Sequence, residues 1–424
     1  MDNTTTQSNL NLREQLQLEL DHRDSFAMKR QLRTIHGSGR IVQHQNQSLI
    51  NLASNDYLAL ANHPHLKEAA INATLKYGTG SGASKIVTGH LDIHQQVESK
   101  FAAFKHAQSA LLFPTGYAAN FAVLTSLAAP GDLICLDKLS HNSLIDAANA
   151  SNATVRTFPH LQTDKLHKLL SRHMGISSSP EPKMPPIAQQ TAYKPLQRPS
   201  RRFIVADAIF SMDGDAANLN ELIAIAEQYD ATLIVDEAHG TGILGRNGSG
   251  LCEAQNLSGQ IDIVISTASK ALGSLGGIVT ADRVITDTIL NLGKTIIYTT
   301  SVPPAQAATI GAAIDIIQSE PKRRQDLQQM CLHFRTKLLK MGWQLPLLRS
   351  DLEITPIFPL ILGSPQAALD AAQSLQNAGF LAFASRYPAV PRGTDRVRIS
   401  LRADLTPEDI DRLLLAIKTL TPAQ

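Results

Sequence analysis

The chain has 424 residues with 43% apolar content, and its 39 basic and 37 acidic side chains leave a formal charge of +2. That length supports two hydrophobic cores, and the balanced charge argues against a protein built to hold nucleic acid. No run approaches the roughly 20 uncharged apolar residues of a bilayer span, and the N-terminus lacks the basic start and apolar run of a secretory signal. A soluble cytoplasmic protein without a membrane partner is therefore expected. Cys135, Cys252 and Cys331 show neither a CxxC nor a zinc spacing, which fits unpaired thiols in a reducing compartment.

Residues 10–32 read as an amphipathic helix, with Leu12, Leu16, Leu20, Phe26 and Met28 as its apolar positions. A turn at Gly37-Ser-Gly39 follows. From about residue 60 helix-like segments alternate with short apolar runs. The first to carry chemistry is the strand-like run 110–113, which enters a glycine turn that opens a helix. The amides of Gly116 and Tyr117 would then sit at a helix N-terminus, an anion site. His90 and His94 stand four apart, but no third ligand accompanies them, and no metal is assigned.

Between residues 177 and 200 there are six prolines and no apolar periodicity, the pattern of an exposed, poorly ordered insertion without a catalytic part. The clearest strand runs come next: Phe203-Ile-Val-Ala206, Thr232-Leu-Ile-Val235, Ile261-Asp-Ile-Val-Ile265 and Ile278-Val279, with a helical pattern over Leu219–Tyr229. This alternation predicts an α/β fold with a mostly parallel sheet covered by helices. A long helical stretch from about Ser301 leads into a smaller α/β region. The expected division is an arm and helix over 1–55 packing with the small domain, a large domain over 56–298, and a small C-terminal domain over 299–424.

In parallel sheets ligands bind at the carboxyl ends of the strands, and that is where the reactive side chains fall. Asp236 and then His239 follow one strand, and Lys270 follows the next run. A lone lysine after a strand is usually a solvated end, and a lone aspartate a helix cap. Together at one edge they suit a pyridine cofactor: the carboxylate keeps the ring nitrogen protonated and the amine forms an imine with the aldehyde. The hydroxyls and glycines of Ser266–Gly273 and Gly276-Gly277 allow close backbone approach to a phosphate.

Motifs recur along nearly the whole chain: Asn55-Asp-Tyr-Leu58, Gly80-Ser-Gly-Ala-Ser84, Pro114–Asn120, Asp137-Lys-Leu-Ser-His141, Phe210-Ser-Met-Asp-Gly-Asp215, Val235-Asp-Glu-Ala-His-Gly240, Thr267–Gly273, Tyr298–Pro304 and Arg396-Val-Arg398. In this order they resemble the α-oxoamine synthases, fold-type I pyridoxal-phosphate transferases that condense an amino acid with an acyl thioester and lose CO2.

The resemblance implies that Lys270 is the Schiff-base lysine, that Asp236 pairs with the ring nitrogen and that His141 stacks on the ring. It places His239 and Ser211 near the phenolic oxygen, and Gly116, Tyr117 and Thr267 on the phosphate. It further implies a homodimer with the site at the interface, Thr300 reaching the partner's phosphate. Asn55 and Arg398 match residues that grip the amino acid's carboxylate. Lys29 and Arg30 fall where a substrate-contacting arginine is expected, Arg30 keeping the residue type. Lys85 stands where the family commonly has arginine, and Ala389 where it commonly has threonine.

The wording of the motifs is closest to the members that join alanine to a pimeloyl thioester for biotin biosynthesis, ahead of those using glycine or serine. Coenzyme A and an acyl-carrier protein both remain open as the thioester's carrier. The run Asp236-Glu-Ala-His239 also matches DEAH-type helicases, but the phosphate loop such an enzyme requires upstream is missing. The presence of Lys270, Asp236 and His141 argues against a catalytically dead relative.

Overall fold

The computed structural model describes residues 10–173, 198–347 and 354–423. Its strands, numbered in chain order, are β1 (Ile41–His44), β2 (Gln47–Asn51), β3 (Ser109–Phe113), β4 (Leu133–Asp137), β5 (Thr154–Phe158), β6 (Arg202–Asp207), β7 (Thr232–Asp236), β8 (Ile263–Thr267), β9 (Gly277–Ala281), β10 (Ile357–Ile361), β11 (Phe380–Leu381), β12 (Phe383–Ser385) and β13 (Arg396–Ser400). Seven of them form the main sheet in the order β3-β9-β8-β7-β6-β4-β5. Strands β4 through β8 pair in parallel, and only β9 runs against its neighbours. The chain therefore has the fold-type I transferase architecture.

Strand β4 is apolar until its closing Asp137 and β7 from Leu233 to Val235, and these residues lie buried between helices, which is why they read as unbroken runs rather than as alternation. One face is covered by the helices Gly116–Leu127, Asn142–Ala150 and Arg283–Leu292. The other is covered by a larger core that includes residues of the helices Asp92–Phe104, Leu219–Gln228 and Pro304–Ser319. The reversal of β9 has a simple cause. Only residues 268–276 separate it from β8, too few for a parallel crossover. That short return holds Lys270, and it is pinned at Gly273, whose φ is +63° and where a Cβ would lie 2.4 Å from the Ala61 amide nitrogen.

The register gives the site its shape. β4, β6 and β7 end in Asp137, Asp207 and Asp236, all at the carboxyl edge, and Asp207 is paired directly with Asp236. Ile265 of β8 pairs with Asp236, so Lys270 emerges one strand away.

Beyond the main sheet, the β1–β2 hairpin pairs with β11 through a parallel contact, Ile50 opposite Phe380, and β10, β13 and β12 form an antiparallel sheet. The first helix is shorter than the pattern over 10–32 predicts. It runs Leu12–Ser25, capped by Asn11 and Glu14, and ends as Ala27 takes φ +52°. Its apolar positions are not core: Leu12 is 69% exposed and Phe26 59%. Local capping suffices to form the helix, and no described segment covers its apolar stripe. The insertion expected at 177–200 lies outside the described residues except for 198–200, where Arg198 bonds both oxygens of Asp132 at 2.8 and 2.5 Å. Among the described residues no helix is long and apolar enough to cross a membrane.

Candidate active site

Lys270 and His239 meet at the carboxyl edge, Nζ to Nε2 at 2.9 Å. Burial depresses the Lys270 amine to a pKa of about 8; the Asp236 and Asp207 carboxylates oppose that and the Arg398 guanidinium adds to it. The buried His239 ring is pushed well below its ordinary value by burial, and further by Lys270, Arg398 and His141. It is therefore a neutral ring at physiological pH, able to hydrogen-bond the amine.

From His239 a chain of bonds runs to Arg398. His239 Nδ1 lies 2.7 Å from the Tyr57 hydroxyl, and Arg398 Nη2 donates to that hydroxyl at 3.0 Å. Arg398 also donates from Nη1 to Asn55 Oδ1 at 3.0 Å and to Ser400 Oγ at 2.8 Å, and from Nε to the Ser211 carbonyl at 2.7 Å. Every one of these acceptors is neutral. On the same strand Arg396 pairs with Asp213, and beyond it Arg402 pairs with Asp404 at 2.9 Å. Among the described residues Arg398, 6% exposed, has no carboxylate partner. A buried guanidinium held in place without a counter-charge is a site for an anion.

Asp236 is buried, and both its oxygens accept. Oδ1 takes the Ala238 amide at 2.8 Å and Oδ2 takes Asn120 Nδ2 at 2.8 Å. Asn120 also reaches Ser143 Oγ at 2.8 Å, which lies 2.8 Å from His141 Nδ1. The His141 amide donates to Asp207 Oδ2 at 2.9 Å. Burial, reinforced by Asp236, pushes Asp207 well above the usual carboxylate range. Burial also lowers the His141 ring, against the pull of Asp236 and with the help of Lys270. His141 as a residue is open to solvent, while Ser143, which meets its Nδ1, and Asn120 behind it are buried.

The third part is the turn after β3. Thr115 caps the helix Gly116–Leu127 by accepting from the Ala118 amide at 3.0 Å, leaving the Gly116 and Tyr117 amides at the helix N-terminus without intrahelical acceptors. A Cβ on Gly116 would stand 3.5 Å from the Thr267 side chain, and one on Gly277 only 2.3 Å from the Thr115 carbonyl. Helix N-terminus, Thr267 and a side-chain-free surface thus converge, as an anion cradle requires.

These residues suit pyridoxal phosphate on the observations above: an amine with pKa about 8, a carboxylate one strand away, and an N-terminal amide cradle. Not every residue read from the sequence joins the cluster. Ser211 meets it through its carbonyl. Thr300 is exposed and bridged to Ser84. Lys29 and Arg30 form no hydrogen bond with the cluster among the described residues, and Arg30, with Arg33, lies near Arg386. Lys85 is buried on Glu98, which His90 also bonds at 2.9 Å.

Tyr57, Asn120, Ser143 and Asp207 carry contacts that sequence reasoning left without a role. The first two lie inside quoted motifs, which was their only signal.

The sequence pattern of aminotransferase class I and II matches residues 47–417. A chain from Geobacillus kaustophilus, provisionally named 8-amino-7-oxononanoate synthase, is 40% identical over 401 residues, covering 94% of this chain and 96% of its own. The 8-amino-7-oxononanoate synthase of Saccharophagus degradans is 37% identical over 412 residues, covering 96% of each. Among solved structures, serine palmitoyltransferase from S. paucimobilis with a pyridoxal-phosphate–myriocin adduct superposes with a TM-score of 0.84 at 27% identity, over 97% of this chain and 98% of that one.

Proposed function

We propose a decarboxylating condensation for this chain, which belongs to the aminotransferase class I and II family and depends on pyridoxal phosphate. The substrates are L-alanine and a pimeloyl thioester, and the products are 8-amino-7-oxononanoate, CO2 and free thiol, in biotin biosynthesis. One observation carries the reading: buried Arg398, without a carboxylate partner among the described residues, is joined through Tyr57 and His239 to Lys270. An amino acid whose carboxylate binds that guanidinium would sit at one end of the hydrogen-bond chain that leads to the amine. The identities of 40% and 37% with chains named for this synthesis support the substrate choice.

Pyridoxal phosphate supplies an aldehyde that joins amines and a ring that withdraws the electron pair left by a bond broken at the amino acid's α-carbon. The Gly116 and Tyr117 amides and Thr267 hold its phosphate, and Thr300 serves the partner's phosphate in a homodimer. Asp236 would keep the ring nitrogen protonated, His141 would cover the ring, and His239 and Ser211 would lie toward the phenolic oxygen. Lys270 Nζ would hold the aldehyde, and as a free amine it would take a proton from the amino acid's α-carbon and return one. Arg398 and Asn55 orient the carboxylate that leaves as CO2. Arg30, with Lys29 beside it, contacts the acyl donor. The large unit spans 56–298, and the small one spans 299–424 with the 1–55 arm against it. The chain works in the cytoplasm.

A serine-using reading has one observation in its favour, the TM-score of 0.84 to serine palmitoyltransferase, at the lower identity of 27%. Turnover decides between them. Purified protein is given alanine, glycine or serine with pimeloyl, acetyl, succinyl and palmitoyl donors on coenzyme A or acyl-carrier protein, and thiol release is scored. Alanine with a pimeloyl donor is expected to give the fastest release. Equal or faster release from another pair overturns the assignment.

A further inference from the structure

Behind the reacting groups, Asn120 and Ser143 join Asp236 to His141. We propose that these two are positioning residues that set the tautomer of His141, keeping its proton on Nε2. The inference rests on the reading above only in taking Asp236 as an ionised carboxylate.

An ionised carboxylate can only accept, so the Asn120 amide must turn its nitrogen toward Asp236 Oδ2. The second hydrogen on that nitrogen is directed at Ser143 Oγ. Having accepted, the Ser143 hydroxyl has one hydrogen to give, and His141 Nδ1 stands 2.8 Å away. The Ser143 amide approaches the same ring nitrogen at 3.3 Å. A nitrogen receiving two donors carries the lone pair, which leaves the proton of the neutral ring on Nε2.

The cost of this arrangement is visible. Asn120 is 2% exposed and its Oδ1 is unpartnered among the described residues, a penalty the fold accepts to keep the nitrogen on Asp236. Turning the amide over would set one oxygen against another. A proton on Nδ1 would face the Ser143 amide hydrogen and would make the Ser143 hydroxyl turn its own hydrogen away and accept from both Asn120 and the ring. The charge on Asp236, at the end of β7, is thus linked through three hydrogen bonds to a ring nitrogen at the N-cap of the helix Asn142–Ala150. Nε2, outside this hydrogen-bond chain and without a partner among the described residues, is left as a fixed donor.

The full-length holoenzyme, labelled with 15N-histidine and with His141 assigned by the His141→Gln spectrum, shows which nitrogen carries the proton. The expected result is a neutral ring with the proton on Nε2. Ser143→Ala and Asn120→Leu are expected to raise the Nδ1-protonated share several-fold, while Ser143→Thr, which keeps the hydroxyl, retains the native tautomer. Circular dichroism checks that each variant is folded. A native ring protonated on Nδ1, or a tautomer unmoved in both folded removal variants, overturns the proposal; where a variant does not fold, the native ring and Ser143→Thr still decide. Because the measurement needs no substrate, it is independent of the turnover panel.

Discussion

In the protein without cofactor, Lys270 should titrate as an amine with a midpoint of about 8. At pH 7 an amine of pKa 10.5 is free in about 0.03% of molecules, whereas one of pKa 8 is free in about 9%, a gain of roughly 300-fold. That gain makes the lysine competent to join an aldehyde and to take a proton. Burial is its first cause, and two charges modulate it with opposite signs: Asp236 raises the value and Arg398 lowers it. Asp236→Asn should therefore move the midpoint down and Arg398→Gln should move it up. The assay is brief labelling with an amine-acylating reagent between pH 6 and 11, the Lys270 peptide being quantified by mass spectrometry against an exposed lysine such as Lys322. A midpoint near 10.5, or both variants shifting the same way, refutes the placement of Lys270 in a buried site between these charges.

Two further outcomes follow from the geometry. His160 lies between Asp137 and Asp215 at 2.9 and 2.8 Å, and their hydrogen bonds, outweighing its burial, raise it to about 10. A value raised on folding means the imidazolium stabilises fully below its unfolded pKa near 6.5, with the contribution lost as pH climbs through 10. With 23% of the side chain accessible, the contribution is on the order of 2–3 kcal/mol. The denaturation midpoints of the native chain and His160→Gln should therefore converge between pH 7 and 10.5, and a pH-independent gap contradicts the clamp. Gly277→Ala would press a Cβ to 2.3 Å from the Thr115 carbonyl and 2.7 Å from Gly116 Cα. Overpacking of about 1–3 kcal/mol should weaken pyridoxal-phosphate binding by roughly 5- to 150-fold in a fluorescence titration, and unchanged affinity would remove the turn from the cradle.

The pairing of Lys270 with Asp236 was legible because it needs only a parallel sheet. Residues that follow adjacent strands must emerge at one edge, and both runs were plain in the text. The glycine turn at 116 was legible for a similar reason, since a strand running into a helix through glycine leaves bare amides. The supporting network was not. Tyr57 meets His239 from 182 residues away, and Asn120 meets Asp236 from 116, distances over which no spacing rule operates. The significance of Arg398 lies in having no counter-charge among the described residues, which only the packed structure can show. His160 reads as an ordinary histidine until the fold sets an aspartate on each side. The first helix fails in the opposite sense, since its leucines follow helical periodicity yet stay exposed among the described residues.

The most direct test is chemical. The chain is loaded with pyridoxal phosphate, reduced with borohydride, digested, and searched for the added pyridoxyl mass. The account predicts that this mass falls on the peptide carrying Lys270 and disappears in Lys270→Ala. Labelling of a different lysine in the native chain, or persistent labelling in that variant, contradicts it.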